Sequence, residues 1–333
     1  MKYILRALLL VLFTPVHSWS QDGQTAGVKE ASSLSGERST AIKNNQQAVR
    51  ITGVRFTYPL VQQWIDDFNR EYPDIQVIIE SRGSSDPTQY DILVEAYEHA
   101  VEIKDNREYV YVARYAILPV ANSNSEFAKR YSEKGLNKDL IVQLFFNDIY
   151  ADKENQKEVK DPHTIYTRLQ KAGVPITFSN YFGYEQKDVK GKAIAGADEH
   201  LLRALLRDST GVSYLPLSLI YDERTKKVKE GITVLPVDLN GNDKVNDEEK
   251  FYDNLSVVLE RLDNTASKQI KNIPTEYLHF SVDKTGVGAD AITFLRWVVR
   301  NGEKSLQDFG YLKPEPQKLK NDKFEQFASK RLK

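Results

Sequence analysis

Twelve residues, Asp238 to Glu249, space oxygen-bearing side chains in a way that suits a hard divalent cation. With Asp238 as the first position, Asn240, Asn242 and Asn246 stand at three, five and nine, and Glu249 at twelve. This is the pattern of an EF-hand-type loop. There the seventh position, here Lys244, supplies a main-chain carbonyl, and the twelfth a bidentate carboxylate. The expected cofactor is therefore Ca2+. The sixth position usually holds glycine because the chain turns there with positive φ; Asp243 stands in its place, and Asp tolerates that region better than most residues. Ile232 to Val237 reads as a strand and Glu248 to Leu262 as a helix, so calcium is expected to staple a connection. The competing reading is an Asx-rich turn whose side chains cap their own backbone.

Catalytic patterns are missing from the sequence. His17, His99, His163, His200 and His279 are scattered, with no His-Glu-x-x-His pair, no Gly-x-Ser-x-Gly elbow and no nucleotide-binding phosphate loop. The chain reads as a non-enzyme. The absence of cysteine excludes disulfides, thiol chemistry and a lipid anchor on a mature N-terminal Cys. Basic and acidic residues number 46 and 47, for a formal charge of -1, so no general field draws nucleic acid or an anionic membrane. Aromatic residues around Tyr181, Phe182 and Tyr184 could line a carbohydrate cleft, but core packing accounts for them more cheaply.

Those side chains need a scaffold. Lys2 and Arg6, the apolar stretch Ala7 to Phe13 and then Ser18-Trp19-Ser20 form a cleaved secretory signal over residues 1–20, which implies a periplasmic protein that is not a lipoprotein. Residues 21–47, rich in Ser, Gly, Gln and Asn, read as a flexible leader. Ile51 to Phe56 has strand length. Leu60, Val61, Trp64, Ile65 and Phe68 then recur at helical spacing, Pro73 ends that helix, and Ile75 to Glu80 gives a second strand. The turns after the two strands fall at the carboxyl edge of an open α/β sheet, where backbone N–H groups of following helices gather and ligands bind.

The order Arg55-Phe56-Thr57-Tyr58-Pro59, Trp64, Gly83-Ser84-Ser85, Tyr115 to Asn122, Asp208 to Pro216, Phe294 to Val299 and Gly310-Tyr311-Leu312 resembles the periplasmic phosphate-binding proteins of ABC transporters, from about residue 50 to 313. The resemblance implies an α/β, two-lobed periplasmic-binding-protein fold (type II), with mixed sheets, flanking helices and a hinge. Lobe 1 is expected at 48–117 plus 250–313, lobe 2 at 118–235, and a tail at 314–333, either frayed or a short surface helix. It also implies a monomer that binds a small anionic ligand between the lobes and delivers it to a membrane transporter. The alternative is a degenerate member that serves as a non-transport partner in an envelope complex.

In that family the anion is held by a Thr-Phe pair, a Ser of the Gly-Ser turn, an Asp that accepts the phosphate proton, and an Arg followed four residues later by Ser-Gly-Thr. The pair falls here on Arg55-Phe56, and the turn is kept as Gly83-Ser84-Ser85. Ala96 stands at the acceptor's position beside Glu95. Arg168 is kept, and Ala172-Gly173-Val174 replaces Ser-Gly-Thr. Two hydroxyl donors are thereby lost and a carboxylate is displaced or deleted, while a guanidinium is added. The resemblance therefore implies an anion site built on Arg55, Phe56, Gly83, Ser84, Ser85, Glu95, Arg168 and Gly173, with Arg82 in reach, that binds orthophosphate weakly or undetectably. The equal alternative is that these Arg residues make surface salt bridges or pack over Tyr.

Overall fold

A computed structural model describes residues 48–80, 86–98, 106–147, 159, 161–265, 269–316 and 323–332. The signal (1–20) and leader (21–47), and the Arg82-Gly83-Ser84-Ser85 turn, lie outside the described residues. In β1 (Val49–Gly53) Val49 and Ile51 are buried and alternate with Arg50 and Thr52, a period of two that gives the strand one core face. The helix α1 (Tyr58–Glu71) carries Pro59 in its first turn, where a missing N–H costs nothing, and buries the expected stripe of Leu60, Val61, Trp64, Ile65 and Phe68. Trp64 Nε1 donates to the Gly302 carbonyl at 3.0 Å, and its ring meets Phe280 edge-on.

The chain continues through β2 (Val77–Ile79), β3 (Ile92–Glu95) and the sixteen-residue β4 (Arg107–Asn122). Next come α2 (Glu126–Lys134), α3 (Lys138–Phe145), β5 (Thr164–Arg168), α4 (Gly173–Phe182), β6 (Lys192–Ile194), α5 (Asp198–Arg207) and β7 (Gly211–Pro216). The short α6 (Leu217–Ile220), β8 (Ile232–Val234), α7 (Leu255–Asn264), β9 (Thr275–Asp283), α8 (Ala289–Asn301) and α9 (Phe324–Arg331) complete it. The strands run β2-β1-β3-β9-β4-β7-β5-β6, with β8 also on β4. Parallel pairs (β1 with β2 and β3, β5 with β6 and β7) flank an antiparallel centre. The expected mixed sheet with flanking helices is what the chain forms.

β4 belongs to both halves of the sheet. Residues Arg107 to Ala116 pair with β9, past a bulge between Tyr111 and Ala113, and Ile117 to Ala121 pair with β7. Leu118, where the sequence suggests a crossing between lobes, lies inside this strand.

One boundary differs from expectation. The run after the loop is not helical from Glu248: a single 3-10 turn covers Asp247–Glu249, and α7 starts only at Leu255, where the Asn254 side chain accepts the Ser256 N–H. The tail contains α9, which buries Phe324 and Ala328 and pairs Glu325 with Arg296 on α8.

Arg114 is the main charge inside β4. Only 7% of its side chain is exposed; Nε donates to the Lys313 carbonyl at 2.8 Å, and the other guanidinium nitrogens reach Asp263 and Glu315 at 3.4 Å. Arg114→Met should cost about 3–5 kcal/mol by leaving Asp263 buried without its partner, whereas the double change Arg114→Met/Asp263→Leu should regain most of that loss. Denaturant unfolding of the three proteins checks this; equal destabilisation by the single and double changes would refute it.

Candidate functional site

The carboxyl ends of β1, β3 and β5 and the start of α4 supply those residues singled out in the sequence that the structure describes. After β1, Arg55 opens a 3-10 turn (Arg55–Thr57) and is exposed, whereas Phe56 is buried. The Phe56 ring lies 5.4 Å from Tyr115 and 6.4 Å from Tyr311, and its carbonyl accepts the Tyr311 hydroxyl at 2.9 Å. Glu95, at the end of β3, is engaged by β9: it accepts the Ser281 hydroxyl and stands 3.7 Å from His279 Nε2.

Ala96 is fully buried, and the Tyr115 hydroxyl sits on it. That hydroxyl donates to the Ala96 carbonyl at 2.6 Å and pairs with Thr177 Oγ1 of α4 at 2.8 Å. Gly173, the first residue of α4, packs directly against Ala96: a β-carbon on Gly173 would fall 2.6 Å from the Ala96 β-carbon. The two turns that hold the anion in the resembled family therefore touch each other here. Phe56, Ala96, Gly173, Tyr115 and Thr177 form one buried cluster.

Arg168, at the end of β5, faces the first turn of α5. Its terminal nitrogen lies 3.1 Å from an oxygen of Asp198, with 12% and 3% of the two side chains exposed. Burial pushes the Asp198 carboxyl above the usual range, and the Arg168 charge opposes that shift. A guanidinium neutralised at this distance offers an incoming anion little net charge. Tyr115, Thr177 and Asp198 escaped the sequence reading. Asp198 carried one usable sign, an acidic residue at a helix start after Gly196-Ala197.

The loop from Asp238 to Glu249 is folded around its two carboxylates. Asp238 is 1% exposed and accepts the N–H groups of Gly241, Asn242 and Asp243; Glu249 accepts those of Leu239, Asn240 and Asn246. Asn240 and Asn242 accept the N–H groups two residues ahead, those of Asn242 and Lys244, at 3.0 Å. Asp243 does take positive φ, 65°. Val245 packs on Gly135, and Asn272 donates to the Asp238 carbonyl at 2.6 Å. Phe178 and Phe182 of α4 are core, with Phe178 stacked on Tyr214 at 4.0 Å; Tyr184, just after the helix, stacks on Phe146 at 4.4 Å, and Tyr181 is exposed.

No family model matches the sequence, and no curated protein does. Solved structures match in fold. The chain is similar to a protein assigned as a phosphate ABC transporter substrate-binding protein, with bound phosphate, from Clostridium perfringens: 14% identity, 81% of this chain and 100% of that one covered, TM-score 0.59. It is also similar to an ABC-type phosphate transport receptor from Vibrio cholerae: 11% identity, 80% and 100% covered, TM-score 0.53. The fold is thus the type II periplasmic-binding-protein fold, in a strongly diverged sequence. Among the described residues no helix is long and apolar enough to cross a membrane.

Close contact at Gly173 makes a test of the geometry. Gly173→Ala should destabilise the protein by about 1–3 kcal/mol through overpacking against Ala96. Ala96→Gly in the same chain should relieve most of that loss, as thermal unfolding would report. A Gly173→Ala protein as stable as the parent would show that the two turns do not touch.

Proposed function

We propose that this chain is a periplasmic solute-binding protein of the phosphate-binding-like fold in which the family's oxyanion position has been closed, so that orthophosphate is not its ligand. The observation that carries this reading is the contact between Ala96 and Gly173, with the Tyr115 hydroxyl bridging Ala96 and Thr177. A phosphate group needs donors at both turns and space between them. Here an acceptor carboxylate is replaced by a methyl group, and the space is taken by protein. Arg168 is kept, yet Asp198 holds it. A site organised for matched hydrogen bonds loses strongly when several partners are missing at once.

Structural kinship with transport proteins supports a transporter as the partner. The same closure favours a second reading, a protein that has given up solute transport and serves as a folded partner in an envelope complex. Calorimetry with orthophosphate separates the main reading from its opposite: no binding is expected up to the millimolar range. Submicromolar affinity would show that the turns open and that main-chain N–H groups with Arg55 and Arg168 replace the lost hydroxyls.

We also propose that the Asp238–Glu249 loop takes calcium, with Asp238, Asn240, Asn242, Asn246 and Glu249 as side-chain ligands and Lys244 offering its carbonyl. The spacing and the positive φ of Asp243 support it. Millimolar calcium should raise the melting temperature relative to chelator, since a cation bound only by the folded state stabilises that state. Asp238→Ala should abolish the rise. That variant should also start about 1–3 kcal/mol less stable, because three N–H groups lose their acceptor. A parent protein indifferent to calcium removes the metal from the loop.

A further inference from the structure

We infer that Asn240 is a site of spontaneous deamidation, and that this covalent change alters the charge of the Asp238–Glu249 loop. The modification itself does not depend on a bound cation.

An asparagine side-chain amide is open to attack by the backbone nitrogen of the next residue, and most so before glycine, which has no side chain to block the approach and little backbone restriction. The chain carries that pair twice, at Asn240-Gly241 and at Asn301-Gly302. The fold treats the two differently. Asn240 and Gly241 are both exposed, Gly241 takes φ 77°, and a β-carbon placed on it would meet only Lys271 Cγ, at 3.7 Å. Gly302 is buried: a β-carbon there would fall 3.0 Å from the Trp64 ring and from Val298 Cγ1, and its N–H is donated to the Val298 carbonyl at the end of α8. Asn301 is fixed as well, since its Nδ2 donates to the Trp297 carbonyl at 3.2 Å.

The hydrogen bonds around Asn240 favour the reaction. Its Oδ1 accepts the Asn242 N–H at 3.0 Å, which places a donor where negative charge gathers when the amide carbon is attacked. The Gly241 N–H donates to Asp238 Oδ1 at 2.8 Å, so the proton that has to leave already faces an acceptor. In the step itself the Gly241 nitrogen gives up that proton and bonds to Asn240 Cγ. The tetrahedral carbon then collapses, the Cγ–Nδ2 bond breaks, and Nδ2 takes a proton from the medium and leaves as ammonia. Water opens the resulting five-membered imide at either carbonyl, giving an aspartyl or an isoaspartyl residue at position 240. Each event replaces a neutral amide by a carboxylate. On the calcium reading, the aspartyl product sets a charged oxygen at the third position of the loop, whereas the isoaspartyl product adds a methylene to the main chain and breaks the ligand spacing.

Native protein and urea-unfolded protein should be held in warm, mildly alkaline buffer and digested with trypsin, which separates the two pairs into peptides 230–244 and 301–304. Mass spectrometry of the peptides, with enzymatic methylation of isoaspartyl groups as a second readout, is expected to show Asn240 deamidating at least tenfold faster than Asn301 in the native protein and at a comparable rate in urea. Asn240→Gln should remove the change from the first peptide and leave the second as it was. Equal native rates at the two positions overturn the proposal. So does an Asn240 that stays intact in the native protein but converts in urea, because the loop would then protect it. The consequence for the cation is read separately: millimolar calcium should raise the melting temperature of Asn240→Asp more than that of the parent, and an equal rise removes the effect on the loop. No rise in either protein is the failure of the calcium reading, with the peptide rates still deciding the modification.

Discussion

The whole arrangement depends on one strand that lies within both halves of the sheet. β4 is buried without interruption from Val112 to Asn122, so each polar group it carries must find a protein partner. Its polar side chains do so by reaching different elements. Arg114 meets Asp263 of α7 and the chain at Lys313; Tyr115 meets Ala96 after β3 and Thr177 of α4; Asn122 donates to the carbonyls of Leu205 and Leu206 in α5. Burying the strand thus obliges it to hold the surrounding elements in place.

That constraint bears on the features kept from the resembled family, each of which is engaged by other parts of the protein. Arg168 and the glycine at the start of α4 persist in type and spacing, but their surroundings have changed. The Tyr115 hydroxyl donates to the Ala96 carbonyl, and Asp198 meets the charge of Arg168. A buried ion pair is seldom a gain in stability over apolar packing, whereas removing one partner of it is costly.

Local features were legible in the sequence and long-range ones were not. The stripe from Leu60 to Phe68, the stop at Pro73, the return strand near Tyr214 and the positive φ of Asp243 all follow from side-chain type and spacing over a few residues. The helix expected from Glu248 begins at Leu255 instead, because Asn254 caps it and Glu249 spends its carboxylate on the loop. Arg168 with Asp198, and Ala96 with Gly173, depend on how strands and helices are brought together. No local pattern reports that. The Gly-Ser-Ser turn at 83–85 lies outside the described residues, so its part in any site rests on the sequence alone.

One further consequence concerns α4. Its first residue rests on Ala96, and near its other end the Tyr181 hydroxyl accepts the N–H of Asn272, whose side chain in turn donates to the carbonyl of Asp238. The helix is pinned at both ends, by the strand edge at one and by the Asx loop at the other. Opening of the helix therefore breaks contacts at both places, which ties exchange of its buried amides to the loop as well as to the strand edge.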